Sequence, residues 1–419
     1  MFGDTGDMAK TILHLDMNSY FATVEQQLNP ELRSRPMGVI KAVGRTCIIA
    51  ASKEAKKYGV KTGTTTYDAK KLCPQIIFVP SNLNRYLEIT KQIIKVAENF
   101  SPVVDVFSID EMFLDITDTQ TLWPGGALQI ALEIKQKIKQ EVGDYLTCSI
   151  GIAWSKLSAK TASEMQKPDG LTFLTKEDFL IKTQKLPVSE ICGIGHSRAK
   201  YLESRGAFTL GQARSLPDLS PEIYDLIFLQ REEVLVCGDE LPAPKSVSRT
   251  YTTYQVTSNK KQVTSLIRNL IEEACGKLRE MDMGGRTISL RLDTYRFRKT
   301  LANLTSDPEI VFNLIPKDLP TEVRFAGLCI SNLIFNLQFS IFNKREKLLK
   351  AVDRINDKFG LFTVYPANLL GRELIRPEVT GFLGDKYYQL GQKKPRLLPS
   401  AEASRILSSG NYPKPQNLI

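Results

Sequence analysis

Histidine is nearly absent from this chain of 419 residues, which holds only His14 and His196. That scarcity removes the raw material for a Ser-His-Asp or Cys-His nucleophilic site and for a multi-histidine metal centre. Cysteine is sparse too. The seven, at 47, 73, 148, 192, 237, 275 and 329, are odd in number, scattered and never spaced C-x-x-C, so neither a disulfide framework nor a zinc site is expected. No stretch approaches the roughly 18 uninterrupted apolar residues of a membrane span, and the opening ten residues lack the basic-then-apolar pattern of a secretory signal. The expectation is a soluble, intracellular protein with reduced thiols. Its chemistry must rest on carboxylates, lysines, backbone groups or bound metal.

What is present suits two to four compact domains: 42% of the residues are hydrophobic and 24% charged. The net charge of +10 is unevenly placed. Residues 1–244 carry 28 basic against 30 acidic side chains, whereas 245–419 carry 28 against 16. The stretch Leu241-Pro242-Ala243-Pro244-Lys245 reads as a semi-rigid linker at that boundary. A near-neutral body joined to a basic module is what a grip on a phosphate backbone would need, although a merely basic domain has the same composition.

Along the chain, Thr11 to Asp16 reads as a strand with an acid at its exit, and Tyr20 to Leu28 as a helix. Small and β-branched residues follow over 39–51, then a capped basic helix from Ser52 that stops at Gly59. A helix is expected over about 84–100, a hairpin over 103–116 interrupted by Asp110-Glu111, a helix over 126–142, a strand over 146–153 and a helix over 155–166. This alternation is that of an α+β domain. Only short helices are expected over 175–237, with a glycine hairpin at Gly193-Ile194-Gly195. Beyond the linker, strands at 247–257, 286–298 and 323–337 and helices at 259–281 and 344–359 form a second α+β unit. In the middle strand Ile288, Leu290 and Leu292 share a face, with Ser289, Arg291 and Asp293 opposite.

Asp16 and the Asp110-Glu111 pair interrupt apolar strands. Two like charges about 4 Å apart repel by about 4 kcal/mol at an effective dielectric near 20, so bringing them together requires a proton or a cation. Hard oxygen ligands that leave room for water and phosphate suit Mg²⁺, and two such ions can activate a hydroxyl while steadying a leaving pyrophosphate. Strand caps or lysine partners would explain the same acids.

The segments Leu15 to Glu25 (LDMNSYFATVE), Ser108-Ile109-Asp110-Glu111, Ser149 to Ala153 (SIGIA), and Ser158-Ala159-Lys160 through Met165 to Gly170 (MQKPDG) resemble, in order and separation, the motif series of the Y-family DNA polymerases. The bacterial lesion-bypass branch of polymerases IV and V is the most similar, over about residues 10–370. The resemblance implies a multidomain α+β right-hand polymerase with an additional α+β little-finger DNA-binding domain. It places the palm at 9–28 and 86–174, the fingers at 29–85, the thumb at 175–237 and the little finger at 247–360, with the Pro-rich linker at 238–246; the tail at 361–419, with Pro395, Pro399, Pro413 and Pro415, reads as partly disordered from its composition. It also implies roles. Asp16, Asp110 and Glu111 match the catalytic carboxylates that, with the backbone carbonyl of Met17, hold two Mg²⁺ ions. Met17, Asn18, Ser19, Tyr20 and Phe21 border the nucleotide, with Phe21 on the steric-gate position that excludes a ribose 2′-hydroxyl. An ordinary core aromatic at a helix start is the alternative for that ring.

Lys160 matches a lysine that reaches the triphosphate. Lys53 and Lys56 match nucleotide-binding positions but depart from the commoner tyrosine and arginine there; lysine keeps the charge and lacks the guanidinium fork, and for Lys53 a solvent-facing side chain is the alternative to a phosphate contact. Versions with lysine resemble the polymerase V branch. Gly193 and Gly195 resemble a helix-hairpin-helix whose backbone N–H groups meet phosphate. In the little finger Arg249, Arg291, Arg296, Arg298 and Lys299 are phosphate-contact candidates, unranked. Gln338, Phe339, Ile341 and Phe342 resemble the peptide that docks on a sliding clamp, and a continuing strand is the plainer reading. His14 and His196 are read as structural, the second beside the expected phosphate-binding hairpin.

The implied function is low-fidelity, template-directed DNA synthesis across lesions in DNA repair and damage tolerance, from dNTPs on primer-template DNA. The expected protein is monomeric, cytoplasmic and nucleoid-associated. A metal-dependent nuclease would share the carboxylates and the hairpin but leaves Phe21 and Lys160 unexplained. A catalytically silent DNA-binding relative would have no use for intact Asp16, Asp110 and Glu111.

Overall fold

The computed structural model describes residues 10–41, 47–229, 235, 244–320, 322–335, 344–359, 363–365 and 367–369. The chain divides between Leu241 and Pro242 into two compact units. The peptide 338–342 and nearly all of the tail 361–419 lie outside the described residues.

The first unit runs β1 (Ile12–Met17), α1 (Tyr20–Leu28), β2 (Met37–Ile40), β3 (Ile48–Ala51), α2 (Lys53–Lys56), α3 (Thr66–Leu72), β4 (Ile77–Pro80) and α4 (Leu83–Glu98). It continues through β5 (Val104–Val106), β6 (Glu111–Asp115), α5 (Gly126–Lys137), β7 (Cys148–Ala153), α6 (Lys156–Met165) and β8 (Leu171–Phe173). Five strands form one sheet in the order β5-β6-β1-β7-β8. β1 lies at its centre, antiparallel to β6 and β7. That position explains why Ile12, Leu13, Leu15 and Met17 form an almost unbroken apolar run: both faces of the strand are covered. The helix α6 starts at a capping box between Ser155 and Ser158 and lies directly on β7. A Cβ built on Gly151 would stand 2.1 Å from the Ala159 carbonyl oxygen and 2.3 Å from the Ser163 nitrogen.

β2, β3 and β4 form a separate three-stranded sheet, antiparallel between β2 and β3 and parallel between β2 and β4. Its small core includes Ile40, Ile48, Val60 and Ile76. Short helices follow: α7 (Lys176–Lys182), α8 (His196–Ser204), α9 (Leu210–Arg214) and α10 (Pro221–Ile227). They are held by a core that includes Phe179, Ile194, Leu202, Leu210 and Ile227.

In the second unit β9 (Ser246–Thr257), α11 (Lys260–Glu280), β10 (Met283–Leu292), β11 (Tyr295–Thr305), α12 (Pro308–Leu314), β12 (Val323–Phe335) and α13 (Lys344–Phe359) follow in order. The sheet order is β11-β10-β12-β9, antiparallel throughout. The run expected as one strand over 286–298 is instead a hairpin. Leu292 pairs with Tyr295 across Asp293-Thr294, and Asp293 adopts φ 45° while its carboxylate accepts from the Arg324 N–H at 2.8 Å. Aspartate tolerates the left-handed conformation that a tight hairpin turn needs. An uninterrupted polar-apolar alternation hid that turn from the sequence.

Ile288, Leu290 and Leu292 of β10 and Ala326, Leu328 and Ile330 of β12 are buried, and they share one core with Leu266, Leu270 and Leu278 of α11. The register Leu328↔Arg249 places Arg249 on that same face. Arg249 is accordingly 7% exposed, with its Nε 3.9 Å from Glu273 Oε2 of α11. This corrects its assignment to the DNA-facing set: the two-residue period of the strand turns it inward.

Candidate active site

Asp16 and Glu111 face each other across β1 and β6 as register partners. The Met17 N–H donates to the Asp110 carbonyl at 2.9 Å, which ties the two strand ends together. Among the described residues His14, Asp16 and Glu111 are the group whose ligand atoms all lie within 4.8 Å of one another. The sheet makes this set. His14 and Asp16 are two apart on one strand, so they share a face, and Glu111 is opposite. Asp110 sits beside the pair in the turn before β6, where its Oδ1 accepts a short hydrogen bond from the Ser108 hydroxyl.

Two lysines neutralise the acids. Lys160 Nζ lies 2.8 and 2.7 Å from the two oxygens of Glu111. Lys167 Nζ lies 3.0 Å from Asp16 Oδ1 and 2.6 Å from Glu164 Oε1. The carboxyls respond differently. Burial pushes Asp16 up to about 6, against the pull of Lys167 and with help from the neighbouring Asp110. Burial likewise raises Asp110, opposed by the Ser108 hydrogen bond and reinforced by the charge of Glu111. For Glu111, burial is outweighed by the adjoining His14 ring and the Lys160 ammonium, which hold it down at about 2. His14, fully buried, is kept below the usual histidine range by that burial.

The chain leaves β1 through Ser19, whose φ of 49° lies in the left-handed region that non-glycine residues avoid. That turn presents Phe21 on α1. Phe21 is half-buried and stacks on Tyr86 with ring centroids 4.5 Å apart and planes at 17°. Tyr86 is itself fixed, since its hydroxyl donates to Glu25 Oε1 at 2.8 Å. The Phe21 ring therefore has a rigid backing and little room to retreat.

Other residues expected at the nucleotide are placed differently. The Asn18 side chain donates to Ser149 Oγ at 2.9 Å and accepts from the Asp169 N–H at 2.8 Å. The Tyr20 hydroxyl donates to the Tyr86 carbonyl at 2.8 Å. Both side chains are buried in structural bonds, so these two residues offer a ligand only backbone atoms. Lys56 lies in the field of Asp16 and Lys167, and its ammonium is lowered by burial and by Lys167. Lys53 instead stands over the Tyr145 ring at 5.4 Å.

Lys167 and Ser108 were not singled out in the sequence. Lys167 could have been found from the MQKPDG segment, whose loop is locked when the Lys135 ammonium donates to the Cys148 and Asp169 carbonyls at 2.6 and 2.8 Å.

Away from the carboxylates, Gly193 adopts φ 93°, a conformation open to glycine, and its carbonyl accepts from Arg198 Nη1 at 2.7 Å. Ile194 is buried as the anchor of this turn, and Gly195 caps an exposed N-terminus of α8. In the second unit Arg291, Arg296 and Arg298 are exposed on the sheet face opposite α11. Lys299, also exposed, pairs with the buried Ile288 and so belongs to the other face, at the sheet edge.

Comparisons with known proteins fit this geometry. Residues 15–164 match the impB/mucB/samB family, and residues 244–341 match that family's C-terminal domain. A DNA polymerase IV of Pelotomaculum thermopropionicum is 34% identical over 382 residues, covering 85% of this chain and 94% of the relative. A DNA polymerase IV of Moorella thermoacetica is 32% identical over 387 residues, covering 85% and 95%. In fold, a Y-family DNA polymerase chimera superposes with a TM-score of 0.64 over 78% of this chain and all of the chimera, at 24% identity. Among the described residues no helix is long and apolar enough to cross a membrane.

Proposed function

The chain belongs to the impB/mucB/samB family of Y-family polymerases, and from that premise we propose that it is a translesion DNA polymerase adding dNTPs to a primer 3′-end at the Asp16–Glu111 strand pair. The observation that carries this reading is the cross-strand register of Asp16 with Glu111, flanked by the Lys160 ammonium. Buried carboxylates of this kind fit a hard divalent ion. They stand in an apolar sheet, have proton affinities shifted in opposite directions, and are balanced by the ammonium groups of Lys160 and Lys167. Asp16, Asp110, Glu111 and the Met17 carbonyl would hold Mg²⁺, two ions in the full reaction. When bound, the metal supplies charge that stabilises the attacking hydroxyl and the leaving pyrophosphate.

The chain's own residues do the rest. Phe21, backed by Tyr86, occupies the space a ribose 2′-hydroxyl would need. Lys160 and Lys56 offer ammonium groups to the triphosphate, and Lys167 keeps Asp16 charged before the substrate arrives. The five-stranded sheet is the palm, the three-stranded sheet the core of the fingers, and the short helices with the Gly193–Gly195 turn the thumb. The second unit is the little finger, gripping duplex backbone through Arg291, Arg296 and Arg298. Small fingers built on a three-stranded sheet favour a loose fit around the nascent pair and hence low fidelity. The peptide 338–342 is the proposed sliding-clamp contact.

Primer extension tests the reading. The protein is incubated with a primed template, dNTPs and Mg²⁺, in parallel with Asp110→Ala. Extension that the substitution abolishes is the expected result. Shortening of the primer would mean a nuclease, and binding with neither outcome would mean a silent DNA-binding relative.

A further inference from the structure

Within the near-neutral first part of the chain stands a basic island. Residues 29–85, which include β2, β3, β4, α2 and α3, hold 11 basic against 3 acidic side chains, whereas the remainder of 1–244 holds 17 against 27. We propose that the surface formed by α2, α3 and the turn between them binds single-stranded DNA, and that the strand it takes is unpaired template ahead of the Asp16–Glu111 site. Only the identification of that strand as template rests on the polymerase reading.

The charge concentrates further over 53–71, where six lysines meet two acids, Glu54 and Asp68. Both acids are engaged elsewhere. Glu54 Oε2 accepts from Gln26 Nε2 at 3.3 Å, and Asp68 Oδ2 accepts from the Thr65 hydroxyl at 2.7 Å. Lys70 closes the end of α3, donating to the Pro74 and Ile76 carbonyls at 3.1 and 2.9 Å. Lys53 stands over Tyr145, and Lys56 lies in the field of Asp16. Lys57, Lys61 and Lys71, all exposed, are left as ammonium groups for a polyanion. Like charges gathered on one small module repel one another, and a phosphate backbone relieves that repulsion as it releases its own counterions.

Charge alone suits any polyanion, and the aromatic residues select among them. Tyr67 is 67% exposed and Tyr58 47%. Lys71, one helical turn beyond Tyr67, holds its ammonium 4.3 Å from the centre of that ring. An unstacked base offers a π face to the ring while its phosphate meets the ammonium, so one nucleotide satisfies both groups. Duplex DNA keeps its bases in its own stack, and an acidic peptide has no such plane to offer. The support is rigid. Val60, Ala69 and Cys73 are buried beneath the surface, the Thr65 hydroxyl caps α3 by accepting from the Asp68 N–H at 3.1 Å, and the turn before it is closed by the Thr64 N–H donating to the Lys61 carbonyl at 3.0 Å. Rings and ammonium groups are therefore in place before a strand arrives.

Binding is measured on the full chain by fluorescence anisotropy, without nucleotide or Mg²⁺, against an oligothymidine of about 16 nucleotides and an abasic strand of the same length. The parent should hold the oligothymidine about ten-fold more tightly than the abasic strand. Tyr58→Ala combined with Tyr67→Ala should abolish that difference, and the corresponding pair of phenylalanine substitutions should keep it. Lys57→Ala combined with Lys61→Ala should lower the slope of log affinity against log salt by about 1.4. Equal affinity for the two strands in the parent, a difference that survives the alanine pair, an unchanged slope, or displacement of the oligothymidine by polyglutamate of equal charge would each overturn the surface. On primer-template, lengthening the unpaired 5′ template from about two to about twelve nucleotides should tighten the parent about ten-fold and leave the tyrosine-to-alanine pair unchanged. Affinity in the parent that ignores the overhang would overturn the template assignment. All of these readouts are binding, so their failure leaves the primer-extension result standing, and the reverse holds too.

Discussion

Phe21 shows how much one ring can decide. Stacked on a Tyr86 that is itself tied to Glu25, it cannot yield to a bulkier sugar without breaking two contacts. Phe21→Ala should raise ribonucleotide incorporation roughly 10- to 200-fold, the range for one misfitting group in a tight pocket. Single-nucleotide insertion of rNTP against dNTP measures this, and undiminished exclusion would remove the gate from Phe21. Asp16 is the second residue with a sharp consequence. Its carboxyl binds a proton more readily in the folded chain, about 6 against an ordinary 3.8. Its contribution therefore stabilises the fold below about pH 4 and is lost as pH rises through 6. A shift of that size corresponds to about 3 kcal/mol. Glu111 runs oppositely, contributing above its ordinary 4.5 and losing that contribution as pH falls through about 2. Metal-free Asp16→Asn should thus melt higher than the parent at pH 7.5 and equal to it near pH 4 in a thermal scan, while losing primer extension at both.

At the scale of elements, the helix α6 carries Lys160 and Ser163, and its seat on β7 depends on a missing side chain. Gly151→Ala would put a methyl 2.1 Å from the Ala159 carbonyl oxygen, and backbone on both sides leaves nothing soft to move. The helix must lift. A destabilisation of about 1–3 kcal/mol is expected, with a larger fractional loss of activity because Lys160 leaves Glu111. Melting and extension assays on the same preparation check the pair, and an unshifted melting point would refute the contact. In the sheet of the second unit, β-strand period decides which arginines face outward and which face α11. Arg298→Ala should weaken duplex binding and lower the slope of log affinity against log salt by about one. Arg249→Ala, which cuts a buried ion pair with Glu273, should instead lower the melting point and leave that slope alone. Equal slopes for both variants would place Arg298 off the backbone.

Across the whole molecule, charge and chemistry are segregated. The carboxylate site lies in the first unit, and the excess of 28 basic over 16 acidic residues lies in 245–419. On the proposed reading, substitutions in the two units should therefore alter DNA grip and catalysis separately. Deleting 338–342 should abolish stimulation by a sliding clamp while distributive synthesis on short templates continues; unchanged stimulation would refute the docking peptide.

Much of this was legible in the residues alone. The order of the acidic motifs, the boundary near 241–245 and the apolar strand runs are local properties, and strands covered on both faces advertise themselves by composition. Register was not legible. Whether Arg249 faces a helix or a phosphate, whether 286–298 is a strand or a turn, and whether His14 stands idle or beside two carboxylates depend on which strands pair and with what offset. For Arg249 and His14 pairing is settled by contacts with residues about 80 to 100 positions away, and a one-residue slip would reverse every side chain.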